Sequence, residues 1–153
     1  MAAASTGEAL ELLATSLARA RGDNFFPELA AHLALVLDAV EALVCEAAPN
    51  KRARTLGVWR SGATVANYEY DVDRTPCAVV QAGEVVAIDL ASRAYPNAFR
   101  KSGGYFGMPL AANDGAVLGH LCVYTDAPVI FSPDSRAVCD IIANRAAAEL
   151  RLV

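Results

Sequence analysis

Two short apolar runs separated by a tight-turn signal constrain the fold of this chain more than any other feature. Residues 105–110 and 116–124 are rich in aromatic and aliphatic side chains, and Asn113-Asp114-Gly115 lies between them. Because glycine readily takes the positive φ of a tight turn, Asp-Gly between two apolar runs predicts a β-hairpin. Neither run alternates cleanly between polar and apolar residues. We therefore expect both faces of the hairpin to be covered, as at the centre of a sheet.

The composition predicts one globular domain and argues against several classes of function. The chain has 153 residues, 55% of them hydrophobic, which suits one core and is too short for two ordinary domains. A formal net charge of −4 and the lack of a dense basic block argue against binding to nucleic acid or to an anionic membrane surface. The longest apolar stretch, residues 29–45, is interrupted by His32, Asp38 and Glu41, so no membrane span is predicted. The N-terminus has no signal-peptide pattern, and we expect a cytoplasmic protein.

The cysteine pattern predicts buried thiols and no metal site. Cys45, Cys77, Cys122 and Cys139 lie far apart, with no C-x-x-C pair, so each is expected to act as a small apolar group in a reducing compartment. His120 lies two residues before Cys122, and the two side chains share one face of the second hairpin strand. A metal site needs a third or fourth ligand. The sequence shows none beside this pair, so a histidine with a structural role is the preferred interpretation.

The remaining elements are predicted from periodicity and capping signals. Residues 5–21 read as a helix with a narrow stripe of Leu10, Leu13 and Leu17, which either folds back on its own domain or pairs with a second subunit. A second helix is predicted for residues 23–40, a short one for 76–82 and a last one from 132 to the end. Beside the hairpin, strands are predicted at 42–47, 54–60, 65–70 and 85–88. Residues 89–102 form a connection of a length that is usually functional.

The hairpin motifs resemble those of GAF domains, the small-molecule sensor modules of bacterial signalling proteins. The strand pair of that family has the pattern Tyr-x-Gly-x-Pro-Leu followed by Asp-x-Gly and Gly-x-Leu, which is similar to residues 104–121 here. Residues 55–70, which lead into Thr75-Pro76-Cys77, resemble the first half of one bacterial GAF subgroup. The resemblance covers residues 22–152. It implies residues 1–21 as an N-terminal dimerisation or signalling helix and residues 22–153 as the GAF domain.

The resemblance implies an α/β (α+β) fold of the GAF-like (PAS-like) type. Its central antiparallel sheet should have five or six strands, with helices on one face and a crossover with short helices on the other. The implied function is that of a non-enzymatic sensory module in a bacterial signal-transduction protein, a homodimer with a downstream kinase, cyclase or transcription-factor output domain. Neither the ligand nor any cofactor is identified, and no catalytic residue is expected. The ligand is expected between sheet and crossover, beside the aromatic and thiol side chains of Trp59, Tyr70, Cys77, Tyr95, Phe99, Tyr105 and Tyr124.

Two alternative functions remain open at this point. Cys77 falls in the first turn of a predicted helix, where the helix dipole favours the thiolate, so a redox-active protein is one alternative. Free methionine-R-sulfoxide reductases resemble GAF domains, but the segment matching their nucleophile, residues 95–101, contains no cysteine. A dimerisation module with an empty pocket is the other alternative. Reactivity of Cys77 toward a thiol reagent would separate the redox function from the sensory one.

Overall fold

A computed structural model describes residues 8, 11, 24–89, 103–126 and 132–151 of the chain. Glu8 and Glu11 are helical, whereas the rest of the predicted N-terminal helix lies outside the described residues. The helices in the described residues are α1 (Phe25–Leu37), α2 (Pro76–Gln81) and α3 (Pro133–Leu150). The strands are β1 (Glu41–Ala48), β2 (Arg52–Arg60), β3 (Ala63–Val65), β4 (Glu69–Asp71), β5 (Val86–Ile88), β6 (Tyr105–Ala111) and β7 (Val117–Tyr124).

The strands form one antiparallel sheet in the order β3-β2-β1-β7-β6-β5, with β4 also paired to β2. The predicted hairpin is confirmed as β6 and β7, in a register that places Tyr105 opposite Tyr124 and Pro109 opposite His120. Its turn is closed by a hydrogen bond from Ala112 N to Ala116 O, and Gly115 takes a φ of 88°. Because β7 lies between β1 and β6, this hairpin supplies the middle of the sheet.

The described sheet has seven strands, whereas five or six were expected. The difference arises at residues 65–70, which were predicted as one strand and form the ends of β3 and β4. Between these two strands, Tyr68 N donates to the side-chain Oγ1 of Thr55 at 2.8 Å instead of to a ladder carbonyl. The side-chain hydroxyl therefore interrupts the ladder and divides the segment in two.

The second helix ends earlier than predicted, at Leu37 rather than near Val40. Asp38 adopts a left-handed conformation with φ 52° and ψ 46°, and its N–H caps carbonyl groups of the last helical turn. A left-handed residue at this position stops a helix and turns the chain away from its axis. β1 consequently begins at Glu41, one residue earlier than expected.

The two faces of the sheet bury different kinds of side chain. One face, the helix face, packs against α1 and α3 through an apolar core that includes Leu29, Leu33, Phe106, Leu121 and Ile142. The opposite face, the α2 face, carries a second buried cluster with several tyrosines and cysteines. As predicted, α1 and α3 cover one face of the sheet. The crossover segment 90–102, predicted to cover the other face, lies outside the described residues. No helix in the described ranges is long and apolar enough to cross a membrane.

A close backbone approach fixes α1 against the sheet. A Cβ atom added to Gly57 in β2 would meet the Phe26 carbonyl oxygen and the backbone nitrogen of Pro27. No side chain fits between these two backbones, since real contacts to Cβ atoms are much longer. Glycine at position 57 is therefore what allows the N-terminal turn of α1 to lie directly on β2.

We predict that Gly57→Ala lowers the free energy of unfolding by about 1–3 kcal/mol, because backbone and helix must separate to admit the methyl group. Urea denaturation followed by circular dichroism measures the change. Arg54→Ala is the control on the same strand, and it should change stability little because its ion pairs with Glu46 and Glu69 are exposed to solvent. Equal stability of Gly57→Ala and the unchanged protein would contradict this account of the α1 contact.

Candidate functional site

The α2 face of the sheet contains a cluster of buried side chains that carry polar atoms. We call it the polar cluster; its members are Cys45, Tyr70, Cys77, Tyr105, His120, Cys122 and Tyr124. Each side chain is at least nine-tenths buried. An apolar core needs no such groups, and buried polar atoms are retained where they bond with one another or with a ligand. The cluster is therefore the candidate functional site of the described residues.

Strand alternation assembles most of the cluster. His120, Cys122 and Tyr124 occupy alternate positions of β7 and so point to the same face. Tyr105 lies directly opposite Tyr124 on β6, and Cys45 lies directly opposite His120 on β1. Three neighbouring strands thus place five polar side chains side by side.

The short helix α2 places Cys77 over these strands. Thr75, at the cap position, is extended and donates its hydroxyl to the Val72 carbonyl at 2.6 Å, and Pro76 starts the helix. The Cys77 sulfur accepts two hydrogen bonds, from the Tyr70 hydroxyl at 3.4 Å and from the Tyr105 hydroxyl at 3.3 Å. Burial raises the pKa of both tyrosines well above the usual value, so their hydroxyls stay protonated and can donate.

His120 is the second centre of the cluster and is completely buried. Its Nε2 lies 3.1 Å from the Tyr70 hydroxyl, and its Nδ1 lies 3.2 Å from the Gln81 amide nitrogen on α2. Both ring nitrogens therefore have a partner, which fixes the orientation of the ring. The Tyr70 hydroxyl bridges the histidine and the Cys77 sulfur.

The charges of Cys77 and His120 are coupled. The pKa of Cys77 is held well below its usual value, chiefly by hydrogen bonding from Cys122 and then by the positive ring of His120, while burial acts in the opposite direction. For His120, burial lowers the pKa, but interactions with the sulfurs of Cys45 and Cys77 outweigh it and raise the pKa to about 10. Both shifts favour a thiolate paired with an imidazolium, whose Nδ1–H then needs the Gln81 amide oxygen, in place of its nitrogen, as the acceptor. Cys139, on the helix face, shows the ordinary behaviour: burial raises its pKa to about 12.

Gly107 makes room for the Tyr105 ring. A Cβ atom at Gly107 would lie 2.5 Å from the Tyr105 hydroxyl and 2.7 Å from a methyl group of Val80. Because these distances are far below a real contact, only glycine lets the phenol ring lie over β6 and reach Cys77. The glycine of the family-like motif thus has a role in building the cluster.

The Tyr124 hydroxyl is the exception to the bonding within the cluster. Its side chain is buried and its ring packs edge-on against that of Tyr105, with centroids 5.1 Å apart. Among the described residues the hydroxyl makes no hydrogen bond of ordinary geometry, and it is the one buried side-chain oxygen or nitrogen in that state. Burial, and then its polar neighbour, the Cys77 sulfur, raise the pKa of Tyr124. A buried hydroxyl without a partner costs about 1–3 kcal/mol. The geometry thus leaves one polar group of the cluster open to a partner.

The structure brings together four of the candidate residues named from the sequence: Tyr70, Cys77, Tyr105 and Tyr124. Trp59 does not join them, because its neighbour Val58 packs on the α2 face and Trp59 therefore packs against the core of the helix face. Tyr95 and Phe99 lie outside the described residues.

Sequence reasoning missed Cys45 and Gln81 as members of the site, and it considered His120 and Cys122 only as a metal pair, which it set aside in favour of a structural histidine. The alternation of His120, Cys122 and Tyr124 along one strand was visible in the sequence. The register that brings Cys45 beside them was not, because pairing between distant strands leaves no local signal.

We predict opposite effects for two matched substitutions on neighbouring strands. Tyr124→Phe should raise the free energy of unfolding by about 1 kcal/mol, because it removes an unpartnered buried hydroxyl. Tyr105→Phe should lower it by about 1 kcal/mol, because it removes a donor to Cys77. Chemical denaturation of the two variants and the unchanged protein measures both effects. Destabilisation by Tyr124→Phe equal to that of Tyr105→Phe would show that the Tyr124 hydroxyl is already bonded.

Comparison with known proteins identifies the fold. No protein-family model matches the sequence, and no curated protein sequence matches it. Among solved structures, the GAF domain of an Acinetobacter phosphoenolpyruvate-protein phosphotransferase superposes with a TM-score of 0.80 at 13% identity, covering 99% of this chain and 96% of that one. The GAF domain of the phosphotransferase from Coxiella burnetii gives 0.79 at 16% identity, covering 97% and 96%.

An enzyme is also similar in structure. Free methionine-R-sulfoxide reductase from Neisseria meningitidis, in complex with its substrate, superposes with a TM-score of 0.75 at 15% identity, covering 99% of this chain and 93% of that one. The superpositions establish the fold, whereas sequence identities this low leave the activity open. With its antiparallel sheet and its helices on one face, the chain has the GAF fold.

Proposed function

We propose that the chain is a non-enzymatic, cytoplasmic sensory module of a bacterial signal-transduction protein, and that it binds a small molecule at the polar cluster. The single observation that carries this proposal is the buried cluster itself, with its unpartnered Tyr124 hydroxyl. The fold supports it, because most of the similar solved structures are described as GAF domains or GAF sensor proteins. The ligand class that fits is a small molecule with a hydrogen-bonding group and an apolar body.

The chemistry of the cluster suits such a ligand. A phenol hydroxyl can both donate and accept, so Tyr124 can bond either an N–H or an oxygen of the ligand. The rings of Tyr105 and Tyr124 supply apolar surface next to that hydroxyl. Binding sites of small molecules commonly combine a mostly apolar lining with a few fixed polar groups, and the polar cluster has this composition.

The ends of β5 and β6 lie beside the cluster. β5 ends at Ile88, which pairs with Tyr105 at the start of β6. We propose that Tyr95 and Phe99 contribute apolar contacts to the ligand, as the sequence predicted. The basic side chains of Arg93, Arg100 and Lys101 in the same segment favour a ligand with an anionic group.

A path for the signal runs through the central strands to α3. On β6, Tyr105 faces the cluster and the adjacent Phe106 faces the helix-side core; on β7, Tyr124 and Val123 are arranged in the same way. A ligand that shifts these strands would therefore change the packing of α3, whose Val138 and Ile142 lie in that core. We propose that α3 and the N-terminal helix carry this change to a second subunit and to an output domain, with Leu10, Leu13 and Leu17 in the dimer contact.

The alternative function is that of a thiol redox protein using Cys77. The lowered pKa of Cys77 favours it, and a reductase shares the fold. Burial does not separate the two functions, because Cys77 and Tyr124 are each 1% exposed. The segment that resembles the nucleophile region of the reductases, residues 95–101, has no cysteine. We therefore favour the sensory function.

We predict that the purified protein does not reduce free methionine sulfoxide in the presence of a thiol reductant. All four cysteines should also react slowly with a thiol reagent at neutral pH and rapidly in denaturant, because all four are buried in the folded state. The time course of labelling, read by mass spectrometry for each cysteine, checks the second statement. Turnover that Cys77→Ser abolishes would establish the redox function instead.

We predict that a thermal-shift screen of metabolites on chelator-treated protein yields ligands whose effect depends on the polar cluster. A ligand at a hundredfold excess over its dissociation constant stabilises the folded state by about 2.7 kcal/mol. Tyr124→Phe should weaken binding about tenfold, since it removes one buried hydrogen bond worth roughly 1.4 kcal/mol.

Trp59→Phe is the matched control, because it alters an aromatic residue on the helix face and should leave affinity unchanged. Ligands whose affinity falls with Trp59→Phe and not with Tyr124→Phe would place the site elsewhere and refute the proposal.

A further inference from the structure

Three metal-ligating side chains meet inside the polar cluster. The Cys77 sulfur, a ring nitrogen of His120 and the Cys122 sulfur all lie within 4.8 Å of one another, and the three residues are buried. In a tetrahedral zinc site, bond lengths of about 2.0–2.3 Å put the ligand atoms roughly 3.5–3.8 Å apart. The described geometry is therefore within about 1 Å of a metal-binding arrangement. Closing the site requires these three side chains to move together by up to about 1 Å.

Cys45 is a candidate for the fourth ligand, and its sulfur lies more than 4.8 Å from at least one of the other three ligand atoms. It lies directly opposite His120 in the register of β1 and β7, and it is completely buried. Its sulfur is 3.8 Å from the Tyr70 hydroxyl, which is itself 3.1 Å from His120 Nε2 and 3.4 Å from the Cys77 sulfur. The Tyr70 hydroxyl thus lies between Cys45, Cys77 and His120. It is the group that an ion would displace.

The partners of His120 suit a ligand role. Nε2 is directed to the centre of the cluster through the Tyr70 hydroxyl, which leaves Nδ1 for Gln81. Histidines that bind metal commonly donate their other ring N–H to a protein acceptor, which fixes the tautomer and the ring orientation. The Gln81 amide provides such an acceptor when its oxygen faces Nδ1.

We propose that Cys45, Cys77, His120 and Cys122 form a binding site for a thiophilic metal ion, with Zn²⁺ as the first candidate. Three sulfurs and one nitrogen in tetrahedral arrangement are a ligand set that zinc favours. Binding releases the thiol protons and the His120 imidazolium proton to solvent, and the three thiolates and neutral imidazole then give the Zn²⁺ site a net charge of −1. The inference goes beyond the sensory function, because the ion binds without any organic ligand.

The experiment uses the complete chain, stripped of metal with a chelator and kept reduced with a phosphine. Zn²⁺ is then added, free metal is removed, and bound zinc is measured by mass spectrometry. We expect about one ion per chain. Cys77→Ser and Cys122→Ser should each weaken binding at least tenfold, whereas Cys139→Ser should leave it unchanged, since Cys139 is a buried thiol on the helix face.

Two measurements keep the test valid if a cysteine variant fails to fold. Co²⁺ added to the unchanged protein should give a thiolate-to-metal charge-transfer band and the visible spectrum of a tetrahedral ion. Gln81→Leu, which retains every ligand, should weaken the affinity for Zn²⁺ by about 10–100-fold. Absence of retained zinc together with an octahedral Co²⁺ spectrum would overturn the proposal, as would an equal loss of zinc from Cys139→Ser and Cys77→Ser.

The metal measurement is independent of the ligand screen. The screen is performed on chelator-treated protein, so metabolite binding there supports the sensory function even if zinc does not bind. Zinc retention without any metabolite hit supports only the metal site.

Discussion

The register of the three central strands is the constraint on which the rest of the structure depends. Side chains alternate between the two faces of a strand, so a slip of one residue exchanges every side chain between the faces. In the observed register, β7 presents His120, Cys122 and Tyr124 to α2 and presents Leu121 and Val123 to the helix-side core. A slip would bury the polar groups among leucines. The close approach of β1 and β7 at Gly119 is specific to this register, because a Cβ atom at that position would meet the Cys45 carbonyl.

The two faces of the sheet have different roles: the helix face stabilises the fold, and the α2 face carries the candidate site. The helix face is filled by aliphatic and aromatic side chains from α1, α3 and the sheet, and it supplies the hydrophobic stabilisation of the domain. The α2 face instead buries hydroxyls, thiols and an imidazole. These groups stabilise a fold less than apolar groups of the same size. Such groups are expected where a protein binds something, and strain or unsatisfied polarity tends to concentrate at functional sites.

Local signals in the sequence predicted the elements, whereas tertiary pairing determined the site. The Asp114-Gly115 turn and Pro76 at the start of α2 are local features, and both appear in the structure as predicted. The division of residues 65–70 into two strands depends on the Thr55 side chain, which is distant in sequence. Likewise, the position of Cys45 beside His120 and the placement of Trp59 on the opposite face depend on register. Periodicity within one strand cannot reveal how that strand pairs.

The most direct test of a binding site on the α2 face is a crystal structure of the purified chain, refined at high resolution and with anomalous data at the zinc edge. The account predicts electron density that does not belong to the protein, or an ordered polar ligand atom, within hydrogen-bonding distance of the Tyr124 hydroxyl. It also predicts that Cys77 and Tyr105 remain clustered beside it. A structure in which side chains of residues 90–102 fill this face completely and satisfy the Tyr124 hydroxyl would contradict the account.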